Sequence, residues 1–132
     1  MAKLVKQSVT LPASAKALYA MYFDPKAHAA ITGGKVTISA KPGSKFKAFG
    51  GALNGTMLQT VPGRLVVQAW RSTPFKKTDI DSTLIMHFVP LSANQGRIDI
   101  MHVNVPEQDF KGVTEGWKKY YWQPWRKYLQ SR

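Results

Sequence analysis

Three histidines, seven carboxylates and no cysteine are the side chains from which this 132-residue chain could build chemistry. Without cysteine there is no disulfide, no thiolate ligand for zinc and no thiol nucleophile. His28, His87 and His102 form neither an H-E-x-x-H nor an H-x-H array, and no carboxylate stands at helical spacing from His87 or His102, so no metal site is expected. No G-x-S-x-G elbow presents a serine, and no two acids form a close pair on an expected core face. The pairs Gly33-Gly34 and Gly50-Gly51 lack the lysine of a phosphate loop and read as turns. His102 then carries most interest: it could be a polar handle on an apolar ligand, a general acid or base, or a hydrogen-bonded histidine of a sheet. Asp99, the acid nearest to it in sequence, falls on the opposite strand face.

Bulky apolar side chains are the second resource. Phe46, Phe49, Met57, Trp70, Met86, Phe88, Met101, Trp117 and Tyr121 could line a cavity, because aromatic walls suit an apolar guest and methionine adapts to its shape. The same residues could equally fill a core. With Ile100 and His102 in place of Phe46 and Met101, the set is the expected ligand-binding cavity: Phe49, Met57, Trp70, Met86, Phe88, Ile100, His102, Trp117 and Tyr121. A third grouping, Tyr120, Tyr121, Trp122, Trp125 and Tyr128 among Lys118, Lys119, Arg126 and Lys127, could stack bases or anchor a protein partner. No RNP, KH or helix-turn-helix pattern accompanies it, so nucleic acid is disfavoured.

The elements that must position these residues follow from periodicity. Lys3 to Thr10 suits a half-exposed strand; Ser14 opens a helix on which Ala17, Leu18, Met21 and Tyr22 recur at helical spacing. Asp24 should cap a second short helix over Lys26 to Ile31, with Pro25 at its first position and Gly33-Gly34 ending it. Turn residues at Pro42-Gly43, Gly50-Gly51, Asn54-Gly55, Pro62-Gly63 and Ser92 to Gly96 then divide strands near 36–40, 44–49, 53–61, 64–71, 82–90 and 96–104. Lys76 to Asp81 should be an exposed loop. If Leu91 faces Arg97, Met86 pairs with His102 on the face of Leu84, Phe88, Ile98 and Ile100; a shift of one residue would set His87 opposite His102 and turn that face over. Both registers remain open. From Pro106 to Leu129 a helical stripe runs through Phe110, Val113, Thr114, Trp117, Tyr121, Pro124 and Tyr128, and Pro124 should kink or divide the helix. The long helix must cover the apolar face of the meander, an α+β helix-on-sheet layout.

The charge is uneven: the chain carries +12, of which residues 1–78 hold +11, with Asp24 their one acid. Such an excess attracts polyanions or acidic partners without specifying a fold. One domain over 1–132 is expected, no run approaches the ~18 apolar residues of a membrane span, and no cleavable leader is evident, so the expectation is a cytoplasmic protein.

The order of elements, with Lys41-Pro42-Gly43-Ser44-Lys45-Phe46, Gly50-Gly51-Ala52-Leu53-Asn54-Gly55-Thr56-Met57, Val61-Pro62-Gly63-Arg64-Leu65-Val66 and Trp70-Arg71, resembles the START-like (Bet v 1-like, SRPBCC) superfamily. Within it, Gly96 to His102, Val105-Pro106, Gly116-Trp117 and Tyr121-Trp122-Gln123-Pro124-Trp125 are most similar to homologues of the activator of heat-shock-protein-90 ATPase. The resemblance implies a helix-grip fold, β-α-α-β6-α, whose curved antiparallel sheet wraps the C-terminal helix around a cavity. Relatives use that cavity for apolar molecules, and with the aromatic and methionine content of both faces the expectation is a non-catalytic domain that takes a small hydrophobic or amphipathic molecule, with no cofactor. The alternatives the resemblance offers are a chaperone-associated module meeting an acidic protein partner and a cyclase- or dehydratase-like enzyme working through His102 or His87.

Overall fold

The computed structural model describes residues 2–131. Strand β1 (Lys3–Leu11) leads into helices α1 (Ala15–Phe23) and α2 (Pro25–Thr32), followed by β2 (Lys45–Ala48), β3 (Leu53–Val61), β4 (Leu65–Ser72), β5 (Ser82–Ser92) and β6 (Gln95–Val105). The remaining helix runs in three stretches: α3 (Glu107–Gly116), a π-helical turn (Trp117–Trp122) and α4 (Gln123–Gln130). The sheet is antiparallel and curved, in the order β1-β6-β5-β4-β3-β2, so the first strand closes against the last.

Local chemistry explains most boundaries. The Ser14 side chain caps α1 by accepting from Ala17 N at 3.1 Å, and Asp24 caps α2 by accepting from Lys26 N at 3.0 Å. Pro25 begins α2 and Gly33, at φ 80°, ends it in the left-handed conformation that glycine adopts at no cost. Asn54-Gly55, expected as a turn, lies within β3 instead. Gly55 is glycine because a Cβ there would stand 1.8 Å from the Ala69 carbonyl oxygen. The reversal occurs earlier, at Phe49–Gly51.

Two further expectations change. The segment 36–40 makes only one isolated bridge, Thr37 to Lys47, so the sheet has six strands including β1 and five follow the helices. The β5–β6 pairing sets Leu84 opposite His102 and Met86 opposite Ile100, two residues from the first register considered. The Ser92–Gln95 closure of the turn supplies one residue of that offset and a bulge between Pro90 and Ser92 the other. Parity is unaffected by a shift of two. Leu84, Met86, Phe88, Ile98, Ile100 and His102 therefore face inward, while His87 pairs with Asp99 on the outer face.

The inner face is shared between helices. Helix α1 packs on β5 and β6, α2 packs on α4, and α3 packs on β1 and β6. Helices α1, α2 and α4 bury Leu18, Tyr22, Ile31 and Trp125 in one apolar core with the inward residues of β5 and β6. Removing that much apolar surface from water is the main favourable term in folding.

A proline-driven phase shift in the last helix

Pro124 lacks an N–H and its ring would collide with the carbonyl one turn earlier, so a regular helix cannot pass through it unchanged. Here the preceding turn widens: the Gln123 N–H donates to the Lys118 carbonyl, five residues back. One residue is thereby inserted into the helical period. The inward stripe runs Val113, Trp117 and Tyr121 as expected, then moves to Trp122 and Trp125 instead of Pro124 and Tyr128. Trp122, read from sequence as part of a partner-facing aromatic group, stacks on Trp117 with ring centroids 5.2 Å apart and donates from Nε1 to Gln7 Oε1 at 2.9 Å. Trp125 is 1% exposed. Of the aromatic residues in that group, Tyr120 is the exposed one.

Candidate functional site: a cavity between sheet and helix

Where α1 does not reach, sheet and long helix stay apart. A cavity of about 470 Å³ opens between the Phe49–Leu53 reversal, the end of β4 with Ser72 to Pro74, and the α3–π-turn face from Asp109 to Tyr121. Gly112 and Gly116, one helical turn apart, lower that face of the helix. Phe49, Trp70, Trp117 and Tyr121 of the expected set line this space, joined by Tyr120, Leu53 and Val113.

Met57, Met86, Phe88, Ile100 and His102 do not line it. All five are buried in the core, because α1 and its neighbours occupy their part of the concave face; Phe88, for example, meets the Tyr19 ring edge-on at 5.5 Å. Phe46 is also core, and Met101 faces outward at 41% exposure. His87 is exposed on the outer face, within a wider depression of about 650 Å³ bounded by Lys6, Arg64, Asp99 and Met101. There Asp99 accepts from Ser8 Oγ and from two guanidinium nitrogens of Arg97, leaving it an ordinary solvated ion pair.

His102 sits one layer behind the cavity wall. Its Nδ1 accepts from Trp117 Nε1 at 3.2 Å, which places its own proton on Nε2. That nitrogen donates to Ser82 Oγ at 2.9 Å, and Ser82 donates in turn to the Trp70 carbonyl at 2.6 Å. The serine is thus not activated by the histidine: the proton points from the ring to the hydroxyl. Burial holds the imidazole neutral, with its pKa pushed down to about 3. The Trp70 ring packs edge-on against it at 4.5 Å. His102 consequently fixes two indoles of the cavity wall.

His28 does the same for Tyr121. It donates from Nδ1 to the Tyr22 carbonyl at 2.8 Å and accepts at Nε2 from the Tyr121 hydroxyl at 2.9 Å. Burial lowers its pKa to about 4, opposed by the bond to Tyr22. Sequence reasoning gave His28 no such place, since its partners lie in a neighbouring helix turn and at the far end of the chain.

Two features of the cavity were not anticipated. Phe49 has φ 52°, a left-handed conformation that is strained for a bulky side chain, and its ring meets Tyr120 and Tyr121 at 5.6 and 6.4 Å. Asp109 is 7% exposed and lines the cavity, and its Oδ2 accepts from Ser72 Oγ at 2.5 Å. Burial raises its pKa while the serine bond pulls the other way. The rim is held by Arg71, which bonds Asp81 Oδ1 at 2.6 Å and the Lys76 carbonyl at 2.9 Å, and by Gln108 to Asp79 at 2.9 Å. Among the described residues no group of three or more His, Cys, Asp or Glu could hold a metal ion, and no helix is long and apolar enough to cross a membrane.

A curved six-stranded antiparallel sheet gripping a C-terminal helix beside a cavity is the helix-grip architecture of START-like proteins. Residues 12–130 match the model of the family "Activator of Hsp90 ATPase homolog 1-like protein", and the chain belongs to that family. It is 28% identical over 90 residues to an activator of 90 kDa heat shock protein ATPase homolog from Dictyostelium discoideum, covering 68% of this chain and 23% of that protein. The chain therefore spans less than a quarter of that relative's length. Among solved structures it resembles PFC0360w, an HSP90 activator from Plasmodium falciparum, at TM-score 0.82 and 17% identity over 91% of each chain. It also resembles the Aha1 dimer from Colwellia psychrerythraea, at TM-score 0.74 and 15% identity, covering 89% of this chain and 90% of that one. At such identities the likeness is one of fold.

Proposed function

We propose that this protein is a non-catalytic START-like domain that holds a small apolar or amphipathic molecule in the cavity between β4 and the α3–π-turn face. The observation that carries this reading is the cavity itself: about 470 Å³, walled by aromatic rings, two of which, Trp117 and Tyr121, are tied by their polar tips to buried histidines behind them. That volume lies within the ~300–1,000 Å³ of small-molecule sites, and rings locked by second-layer bonds lose little freedom when a guest enters. Native mass spectrometry of protein purified from its own host under gentle conditions tests it. A retained organic adduct, lost when Gly116→Leu narrows the space, supports the reading; the absence of any adduct, together with no response in a thermal-shift screen of lipids and polycyclic aromatics, counts against it. The cyclase-like alternative gains nothing from the histidines, since His87 lies outside and His102 is bonded at both nitrogens.

A second reading rests on the family: a module that meets an acidic surface of a chaperone. Its support is the family model and the net charge of +11 over residues 1–78. Binding to a purified bacterial Hsp90-type chaperone that weakens steeply between 50 and 300 mM salt supports it, as screened association does. No binding at low salt rejects it.

A further inference from the structure

Asp109 is the one acid among the buried residues described, in a chain of net charge +12, and it lies on the wall of the cavity rather than in the core. Its position is built. It occupies the first turn of α3, one turn before Gly112, where a Cβ would come within 3.0 Å of its Oδ1. One oxygen, Oδ2, is held by Ser72 Oγ from the end of β4. Among the described residues no Lys or Arg forms a salt bridge with it. The cavity whose wall it shares is lined by five aromatic residues: Trp70, two residues before Ser72 on β4, Trp117 two turns along the helix, and further along Phe49, Tyr120 and Tyr121. A carboxylate with a spare oxygen at one end of an aromatic-walled cavity has the chemistry that recognises an organic ammonium through a charge-assisted hydrogen bond while the rings take its apolar body.

We infer that the cavity selects molecules with an apolar, aromatic-sized body and a protonated amine, the amine bonding Asp109 and the body lying against the indoles of Trp70 and Trp117. This inference rests on the ligand-carrying reading of the cavity and sharpens it. It also runs opposite to the sign of the whole molecule, which would favour anions. The two fields differ in reach: the surface lysines act through solvent that screens beyond ~8 Å at physiological ionic strength, whereas the carboxylate is in contact. Burial raises the Asp109 pKa, and an ammonium beside it restores the ionised form.

The test is a calorimetric titration of the wild-type protein with three probes of one shape: 2-(2-naphthyl)ethylamine, 2-(2-naphthyl)ethanol and 2-naphthaleneacetate at pH 7. The amine is expected to bind about 10- to 100-fold more tightly than the alcohol, the range of a charge-assisted hydrogen bond, and the carboxylate most weakly. In Asp109→Asn the amine and the alcohol converge. Equal binding of amine and alcohol by the wild type, or preference for the carboxylate, overturns the inference and leaves the cavity reading standing. Failure of all three to bind overturns the inference, and overturns the cavity reading as well where native mass spectrometry also finds no adduct. The wild-type ranking needs no variant, so it decides the matter even where Asp109→Asn folds poorly.

Discussion

His102 shows how much depends on a neighbour at the scale of a single side chain. From its type alone it could serve as an acid, a base or a ligand handle; the Trp117 indole settles its tautomer and makes it a brace for the cavity wall. Replacing Trp117 by Phe keeps an aromatic ring but leaves a buried ring nitrogen without its donor, a loss of about 1–3 kcal/mol to which the smaller ring adds a packing cost. Urea denaturation should show that loss as a lower midpoint with unchanged slope. The two buried imidazoles also set a pH dependence. Their folded pKa values, about 4 for His28 and about 3 for His102, lie below the ~6.5 of an unfolded chain, so the unfolded state takes up protons first on acidification. Stability is thus full above pH ~6.5 and falls as pH drops towards 4, with a slope approaching ~2.7 kcal/mol per unit for two protons. A urea midpoint that stays flat from pH 7 to pH 4.5 would contradict neutral burial of both rings. None of this was legible in the sequence, because Trp117 and His102 are brought together only by α3 folding back on β6, and Tyr121 and His28 only by α2 meeting the last helix.

Secondary structure could be read where its cause is local. Ser14 and Asp24 cap their helices and Gly33 closes α2, whereas the inward face of β5 and β6, open between two registers in the sequence, is fixed only by the turn and by a one-residue bulge near Leu91. Element-scale reading failed where one element leans on another. Asn54-Gly55 looks like a turn, yet Gly55 answers to the backbone of β4; Gly55→Ala should cost about 3 kcal/mol or more and deplete soluble protein, as the new methyl group has only backbone to displace. The π turn before Pro124 moved Trp122 and Trp125 from an expected outer surface into the core, and only the recurrence of Trp117, Tyr121, Trp122 and Trp125 hinted at it. Gly116 offers the opposite case. A Cβ there would meet nothing nearer than Tyr120 at 3.6 Å, and its φ of −62° is helical. Gly116→Ala should therefore stabilise the helix by about 0.5–1 kcal/mol while narrowing the cavity. A raised melting temperature with weaker binding of the naphthyl alcohol would show both effects.

Across the whole molecule, charge and cavity are separate. The lysines that supply most of the positive charge are exposed on the strands, the helices and the loops, whereas the cavity is apolar with a single acid among its lining residues. The excess charge can accelerate meeting an acidic partner without entering the cavity. The candidate cavity was half legible for the same reason that the fold was legible: the helix-grip layout requires a concave face, but which part stays open depends on how far α1 reaches along it. Phe49, Trp70, Trp117 and Tyr121 lie beyond that reach; Met57, Met86, Phe88, Ile100 and His102 do not line the opening. Amide and indole chemical-shift mapping with 2-(2-naphthyl)ethanol tests this division most directly. The account predicts that the Trp70 and Trp117 indole signals and the Gly112 and Gly116 amides move together and saturate, while His87, Asp99 and Met101 on the outer face stay still. Saturable shifts confined to that outer face, or none at any probe concentration, would contradict it.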